Sequence, residues 1–556
     1  FEALDYTLKK ASEEGIYVVL VITNNWNDFG GVNQYVAWSD TASEHDDFYT
    51  DENCKDMYKA YVDYLINRTN SLTDVVYKDD PTIMTWELMN EPRCESDKTG
   101  DVLVTWTDEM SAYVKSLDPN HMVALGDEGF FNNPDEADSD WAYNGYSGVD
   151  WERLLALDNI DYGTFHLYPE HWGDTFSENP LQSGIDWIIA HSEVASTLGK
   201  PAVLEEYGIQ KTGVNNRNLI YESWTNQAVL SGIDGTMFWI LSGIDTGASA
   251  DENGLYPDYD GFRVTNDDSK TAYLLARHGS EMNGEVVVKE PSAYILAPYA
   301  GEKISEVYAF KATSINYDKE IESIVLTIEG IEEPFVASAK GVVVLETYSY
   351  PLEGDTTFNV TIYYTDGTVV TDSVVAYVSN KETKEVVGRT FTFDDSLEGF
   401  KQEAASQASF GPLGVYHSPL VGNGALVIDA IWSGTADWQE LRVLNTDVPE
   451  IANCVRVEYD LYYPVDAASG EGGVRPYAVG NPGWVKLGQD MSNMNFIDIP
   501  TEEIGGLVYA HQHVVIPTSG LTPCSELYIG AIGSLMIYEG PIYLDNIVLY
   551  EEVYVD

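Results

Sequence analysis

Between residues 16 and about 280, six short apolar runs alternate with amphipathic helical stretches, and this alternation restricts the fold more than any other feature of the chain. The runs are Ile16–Thr23, Ile83–Asn90, Met122–Gly129, Asp161–Pro169, Ala202–Gly208 and Gly235–Gly243. Each is nearly continuous in hydrophobicity, as parallel strands buried on both faces should be. Between them, Cys54–Arg68 sets Met57, Tyr58, Tyr61, Val62, Leu65 and Ile66 at a 3.6-residue period. Six such units predict an eightfold (β/α) TIM barrel that lacks its first two βα units. A doubly wound open sheet is the structural rival. It should carry a Gly-rich phosphate loop after an early strand, and none of the six runs has one. The opening stretch Phe1–Gly15 places Phe1, Leu4, Leu8 and Ala11 on one helical face and stops at a glycine, so the chain reads as starting inside a fold.

Near residue 284 the texture changes. Ten of the 13 tryptophans lie at or before Trp239, and the remaining three, Trp432, Trp438 and Trp484, come late. From about 286 to 378 short alternating strands replace the helical period, and Thr356–Tyr364 and Thr368–Val378 flank an Asp366-Gly367 turn, a strong hairpin signal. The expected division is a catalytic barrel over 1–284, an immunoglobulin-like β-sandwich over 285–380, and an all-β jelly roll over 386–556, with the charged stretch Ser379–Lys384 as linker.

Composition narrows the partner. With 29 Lys and Arg against 91 Asp and Glu, the net charge of −62 argues against nucleic acid and anionic membranes, whose phosphates need clustered cations. It suits a neutral partner, or a place outside the cell where solubility matters. At 44% hydrophobic residues the chain is rich enough for packed cores. The apolar runs are far shorter than a membrane span requires, so no membrane insertion is expected. Four cysteines, Cys54, Cys94, Cys454 and Cys524, show no paired metal spacing. Cys454 and Cys524 are either a bridge within the last domain or isolated buried thiols.

In a barrel, chemistry sits where strands end at the carboxyl face. The second run ends in Asn90-Glu91-Pro92-Arg93 and the fifth in Glu205-Glu206-Tyr207-Gly208, so two carboxylates can face each other across the mouth. Such a pair suits glycoside hydrolysis, one carboxyl protonating the leaving oxygen and the other attacking the anomeric carbon. The fourth run adds His166 and Tyr168 to the rim, and the sixth ends in Trp239, an aromatic floor of the kind sugars stack on. Alternation along a strand predicts that only one of Glu205 and Glu206 faces the lumen.

With these residues in place, the sequence resembles glycoside hydrolase family 5. The strings TNNWNDFGG (Thr23–Gly31), TWELMNEPRC (Thr85–Cys94), LGDEG (Leu125–Gly129), GTFHLYP (Gly163–Pro169) and EEYG (Glu205–Gly208) are similar to its endo-β-1,4-mannanases, and LYPDYDGF (Leu255–Phe262) to bacterial members. The resemblance implies a retaining, cofactor-free enzyme acting on β-mannan. Glu91 would be the general acid/base and Glu206 the nucleophile, with Asn90 on the sugar 2-hydroxyl and Tyr168 bonding the nucleophile. His166 would orient the pair, Trp239 would floor the −1 subsite, and Arg93, Glu128 and Trp26 would line the substrate. The acid should be the carboxyl whose pKa is pushed up, with Tyr168 and Asn90 holding Glu206 ionised. An endo-β-1,4-glucanase on the same barrel, or a non-catalytic polysaccharide-binding protein, is the alternative. Phe391–Phe400 and Tyr543–Ile547 resemble the first and last strands of jelly-roll carbohydrate-binding modules, including mannan-binding ones. That likeness implies structural calcium held by Asp394 and Asp545 and sugar stacking by Trp432, Trp438 and Trp484. A secreted or cell-surface, monomeric protein is expected.

Overall fold

The computed structural model describes residues 1–133, 140–243, 258, 260–265, 268–338, 340–380, 383–406, 408–434, 439–465, 468–481, 485–487, 500–518 and 524–554. The chain divides into two compact units, one made of Phe1–Pro257 with Gly261–Ser379 and the other of Asp258–Asp260 with Asn380–Asp556.

In the first unit the apolar runs become β1 (Val18–Val21), β2 (Ile83–Glu87), β3 (Met122–Ala124), β4 (Gly163–Leu167), β5 (Ala202–Tyr207) and β6 (Gly235–Thr236). The ladders β1-β2-β3 and β4-β5-β6 are parallel. The two trios meet through the Asp161 amide donating to the Val123 carbonyl at 2.9 Å and the His166 amide donating to Glu128 at 3.2 Å. The strands thus follow chain order along one wall, as in a TIM-type barrel, whereas a doubly wound sheet reverses its order. The sixth run is shorter than its composition implies. Its ladder stops at Thr236 and returns as one parallel bridge between Leu241 and Val264, and Met237, Ile240 and Leu241 are exposed there.

Around this wall lie α1 (Glu2–Glu14), α2 (Gly31–Trp38), α3 (Glu52–Ile66), α4 (Asp101–Leu117), α5 (Trp151–Leu155), α6 (Asp174–Ser177), α7 (Pro180–Leu198), α8 (Arg217–Ser231) and α9 (Ser269–Met282). Local chemistry sets several starts. The side chains of Asp51, Asn179 and Asn216 accept from the third residue beyond them, caps worth about 1 kcal/mol each. Helix α3 buries Tyr58, Val62, Leu65 and Ile66, the stripe its period predicts, and the Tyr58 hydroxyl donates to the Leu88 carbonyl at 2.8 Å. On the other side α7 buries Trp187, whose indole donates to the His166 carbonyl at 2.9 Å. Both bonds fix backbone just below the polar strand ends.

Residues 292–378 of the same unit form two layers, antiparallel except for the short parallel edge pairing of Lys303–Ile304 with Val369–Val378, around one core that includes Phe310, Leu326, Phe358, Val360 and Ile362. The hairpin is present as Gly354–Tyr364 paired with Val369–Val378, and Gly367 takes φ +87° in its turn. The layer docks on the barrel helices through Glu222 of α8. This buried carboxylate accepts from Arg277 of α9 at 2.7 Å, from Tyr317 at 2.6 Å and from the Tyr294 hydroxyl. A buried charge needs such partners, and removing one leaves the rest uncompensated.

The second unit is β-rich. Its long last strand, Glu526–Tyr554, pairs antiparallel with Thr383–Phe391, Ala425–Ser433, Glu440–Asn445, Cys454–Pro464 and Ala468–Asn481. Trp432 is 1% exposed within the core of this unit, so the expected sugar-stacking role is corrected to packing. The alternating strand Ala425–Ser433 turns this ring inward beside Gly533, where a Cβ would come 2.5 Å from it. Trp438 and Trp484 lie outside the described residues. All four cysteines are free, buried thiols, so the bridge between Cys454 and Cys524 is not formed.

Candidate functional site

The polar residues at the ends of β2, β4 and β5 converge. Glu91 follows β2 with φ +52°, a left-handed backbone that a non-glycine residue adopts only when its surroundings hold it. Its amide donates to the Gly126 carbonyl at 2.7 Å, and the Asn90 amide donates to Thr23 at 2.9 Å. Gly126 itself has φ +92°, and a Cβ there would fall 2.3 Å from the Met89 carbonyl oxygen. Only glycine permits this approach.

So placed, the Glu91 carboxylate accepts from Trp26 Nε1 at 2.5 Å through Oε2, while its Oε1 lies 2.7 Å from His166 Nδ1. The same Nδ1 is 3.7 Å from Glu206 Oε2, which accepts from the Tyr168 hydroxyl at 2.7 Å. Oxygens of Glu91 and Glu206 and a nitrogen of His166 all fall within 4.8 Å of one another. This is the one such cluster of three potential donors among the described residues, and Asp394 and Asp545 belong to none.

Glu128 lies under the rim, 3% exposed, and its two oxygens receive Arg93 Nε and Nη2 at 2.7 and 2.8 Å. The Arg93 guanidinium is stacked among Trp26, Phe130 and Trp141, 5.1–5.4 Å from their ring centres. A planar, bidentate, stacked pair of this kind makes a rigid wall beside Glu91. Asn90 donates to Asn24 Oδ1 at 3.2 Å, on the segment that follows the neighbouring strand β1, and not to Glu206 as expected. Trp239 is partly exposed, with its amide on the Tyr207 carbonyl at 2.9 Å and a cis peptide to Ile240.

Burial would raise every carboxyl here, and the neighbours decide the outcome. For Glu91 burial is overcome by the His166 hydrogen bond and charge, with help from Trp26 and Arg93, and its pKa falls below the usual range. For Glu206 burial and the Glu91 charge prevail over His166 and Tyr168, and its pKa rises. The expected order, with Glu91 the raised group, is therefore reversed in the free site. The cause is a difference of distance, since His166 Nδ1 sits 1.0 Å closer to Glu91 (3.7 − 2.7). Although burial opposes charge on the ring, Glu206, Glu205 and Glu91 hold His166 well above its ordinary value. Glu128 is pushed up to about 7 by burial against the pull of Arg93. Burial and the Glu206 charge raise Tyr168, which keeps its hydroxyl a donor.

One expectation fails in an instructive way. Glu205 is also turned inward, 6% exposed and 3.9 Å from His166 Nε2. In the β4-β5 ladder Phe165 pairs with Leu204 and His166 with Glu206, so Glu205 is a bulged residue. Two residues then oppose one and strict alternation is lost. Sequence reasoning also passed over Glu87 and Asp127, buried beneath the pair. Their signal was available, since an acid inside an otherwise apolar strand has no place unless something faces it.

Comparison with known proteins agrees with this geometry. Residues 1–252 match the family described as GH family 5 beta-mannosidase-like, and residues 377–552 match carbohydrate binding module 27. The chain is 40% identical over 224 residues to mannan endo-1,4-beta-mannosidase 7 of Oryza sativa subsp. japonica, covering 38% of this chain and 58% of that protein. It is 39% identical over 239 residues to mannan endo-1,4-beta-mannosidase F of Aspergillus fumigatus, covering 43% and 50%. The chain thus spans between half and three-fifths of the length of these curated relatives. The solved endo-beta-1,4-mannanase from Thermotoga petrophila is similar with a TM-score of 0.59 and 45% identity, over 68% of this chain and 83% of that one.

Proposed function

Since the chain belongs to the GH family 5 beta-mannosidase-like glycoside hydrolases, we propose that it cleaves internal β-1,4-mannosidic bonds of mannan, galactomannan and glucomannan by a retaining double displacement. The observation that carries this reading is the carboxylate pair. Oxygens of Glu91 and Glu206 stand within 4.8 Å of each other, close to the ~5 Å spacing of retaining enzymes and short of the roughly 6.5–9.5 Å of inverting ones.

Glu206 is the nucleophile and Glu91 the acid/base. The Glu206 oxygen not held by Tyr168 attacks the anomeric carbon, the bond to the leaving oxygen breaks, and Glu91 delivers a proton to that oxygen. Water then gives its proton to Glu91 and its oxygen to the anomeric carbon, which frees Glu206. The free site favours charge on Glu91, so the proton must reach it as substrate binds. His166 Nδ1 borders both carboxylates and is the route, and positive charge growing at the anomeric centre favours an ionised Glu206. The exposed Trp26 gives up its bond to Glu91 Oε2 to the leaving sugar, while Trp239 floors the cleft and Arg93 with Glu128 walls it. Asn90 takes the sugar 2-hydroxyl. No cofactor enters the chemistry.

The same reading extends to the rest of the chain. The barrel is of the (β/α)8 type with six of its strands in these residues, 1–284 forming the catalytic domain, 285–380 an immunoglobulin-like spacer and 386–556 a jelly-roll module that holds mannan. Calcium at Asp394 and Asp545 belongs to the same reading, and the charge of Asp394 does reach Asp545, which burial and the charges of Asp460 and Asp394 push up to about 6 against the pull of His511. A polymeric substrate places the enzyme outside the cell or at its surface. A charge of −62 opposes self-association and favours a monomer. Among the described residues no helix is long and apolar enough to cross a membrane.

Reducing-sugar release from galactomannan and from carboxymethylcellulose tests the assignment. Release from galactomannan at least tenfold faster is expected. Faster release from carboxymethylcellulose would make the protein a glucanase, and retention in mannan gels without any release would make it a binding protein.

A further inference from the structure

The geometry points to Glu205 as a positioning residue whose buried carboxyl, turned inward by the β5 bulge, holds the His166 ring from its Nε2 side so that Nδ1 presents an N–H to Glu91. This deepens the retaining reading above and rests on it. It begins from two orphaned groups. Both Glu205 oxygens and His166 Nε2 are buried without a hydrogen-bond partner, and Glu205 Oε2 faces Nε2 at 3.9 Å. Buried polar atoms are rarely left so, and a carboxylate opposite an N–H is the pairing that satisfies both.

The groups around Glu205 reinforce this. Glu87 from β2, Asp127 beyond β3, Tyr162 ahead of β4 and Glu206 next along β5 all feel its charge, and every one of them is an acid or a phenol. Its ion-pair partner among the described residues is His166. Burial and the Glu205 charge push the Glu87 carboxyl well above the usual range, and burial lifts Asp127 to about 8. Both are thus biased toward the protonated form, and the imidazolium answers Glu205, Glu91 and Glu206 together. Glu205 thus acts through the ring and does not touch the substrate.

The consequence is a pH effect with a definite sign. Without Glu205 the ring loses its proton at lower pH. Glu91 and Glu206 then lose the cation that holds their pKa values down, and both rise. Removing the Glu205 charge acts oppositely on Glu206, but it ranks below His166 among the influences there. Both limbs of the pH–rate profile should move upward by about one unit.

The test pairs kinetics with a direct view of the ring. In ¹⁵N-histidine NMR of the full chain, with His166 assigned by His166→Asn, both ring nitrogens of the wild type should stay protonated from pH 5 to 8. In Glu205→Gln the ring should become a neutral tautomer within that range and the mannan profile should shift upward. Glu205→Asp, which keeps the charge, should restore a charged ring and the wild-type profile. A ring that is neutral in the wild type, or one that stays charged in Glu205→Gln beside an unmoved profile, overturns the assignment. If Glu205→Gln does not fold, the wild-type spectrum and Glu205→Asp still decide. The NMR arm needs no substrate, so failure of mannan hydrolysis alone would refute the proposed activity and not the role of Glu205.

Discussion

Glu206→Ala is expected to lower kcat on mannan by about 10⁴-fold or more, because the variant has no group to form the glycosyl-enzyme bond. The loss should be chemical and not structural. Glu206 is part-buried with one oxygen bound, so truncation strands the Tyr168 hydroxyl and removes one of the three charges facing His166, and the melting temperature should change little. The space left behind opens on the face of the anomeric carbon that Glu206 attacks. Azide entering that space should restore part of the rate with an activated aryl β-mannoside and give an α-mannosyl azide, since a single displacement inverts. Substantial activity without azide, or rescue giving the β-azide, would remove Glu206 from the nucleophile role.

Glu91→Ala should separate by leaving group. Mannan hydrolysis needs a proton on the departing oxygen, and its loss should cost on the order of 10²–10⁴-fold. A dinitrophenyl β-mannobioside departs without that proton, so its kcat/KM should fall by about tenfold or less. Deglycosylation then lacks a base, the glycosyl-enzyme accumulates, and azide attacking it should yield the β-mannosyl azide, the opposite anomer from the Glu206 variant. Equal losses on both substrates would mean that Glu91 supports structure and not proton transfer. A position strained at φ +52° and pinned by the Gly126 carbonyl makes that control worth running, because alanine there inherits the same backbone cost.

Much of this was legible in the residues, for physical reasons that also mark where legibility stops. Parallel strands buried on both faces announce themselves as short continuous apolar runs, and β1 to β5 fall inside the runs. The sixth run looked the same and was not, since Met237, Ile240 and Leu241 are exposed, and composition does not tell what covers a strand. Glu91, His166, Tyr168 and Glu206 were legible because strand ends are where a barrel puts its chemistry, and the chain brings all four together. Glu205 was misread because the period of two assumes an unbroken ladder, and a bulge is a property of two strands, invisible in one. The protonation order was misread for a similar reason. Whether an imidazole stands 2.7 or 3.7 Å from a carboxylate decides which pKa falls, and no spacing in a sequence carries that difference. Trp432 illustrates the remaining ambiguity, because a tryptophan serves a sugar or a core with the same side chain, and here it serves the core.

The central claim is a retaining displacement by two carboxylates held close together by one imidazole. The anomeric configuration of the first products from mannohexaose, followed by ¹H NMR before mutarotation, tests it most directly. The account predicts the β-anomer first, with the α-anomer appearing only as mutarotation proceeds. The α-anomer appearing first would mean inversion, which a pair this close has no room to perform, and would contradict the account.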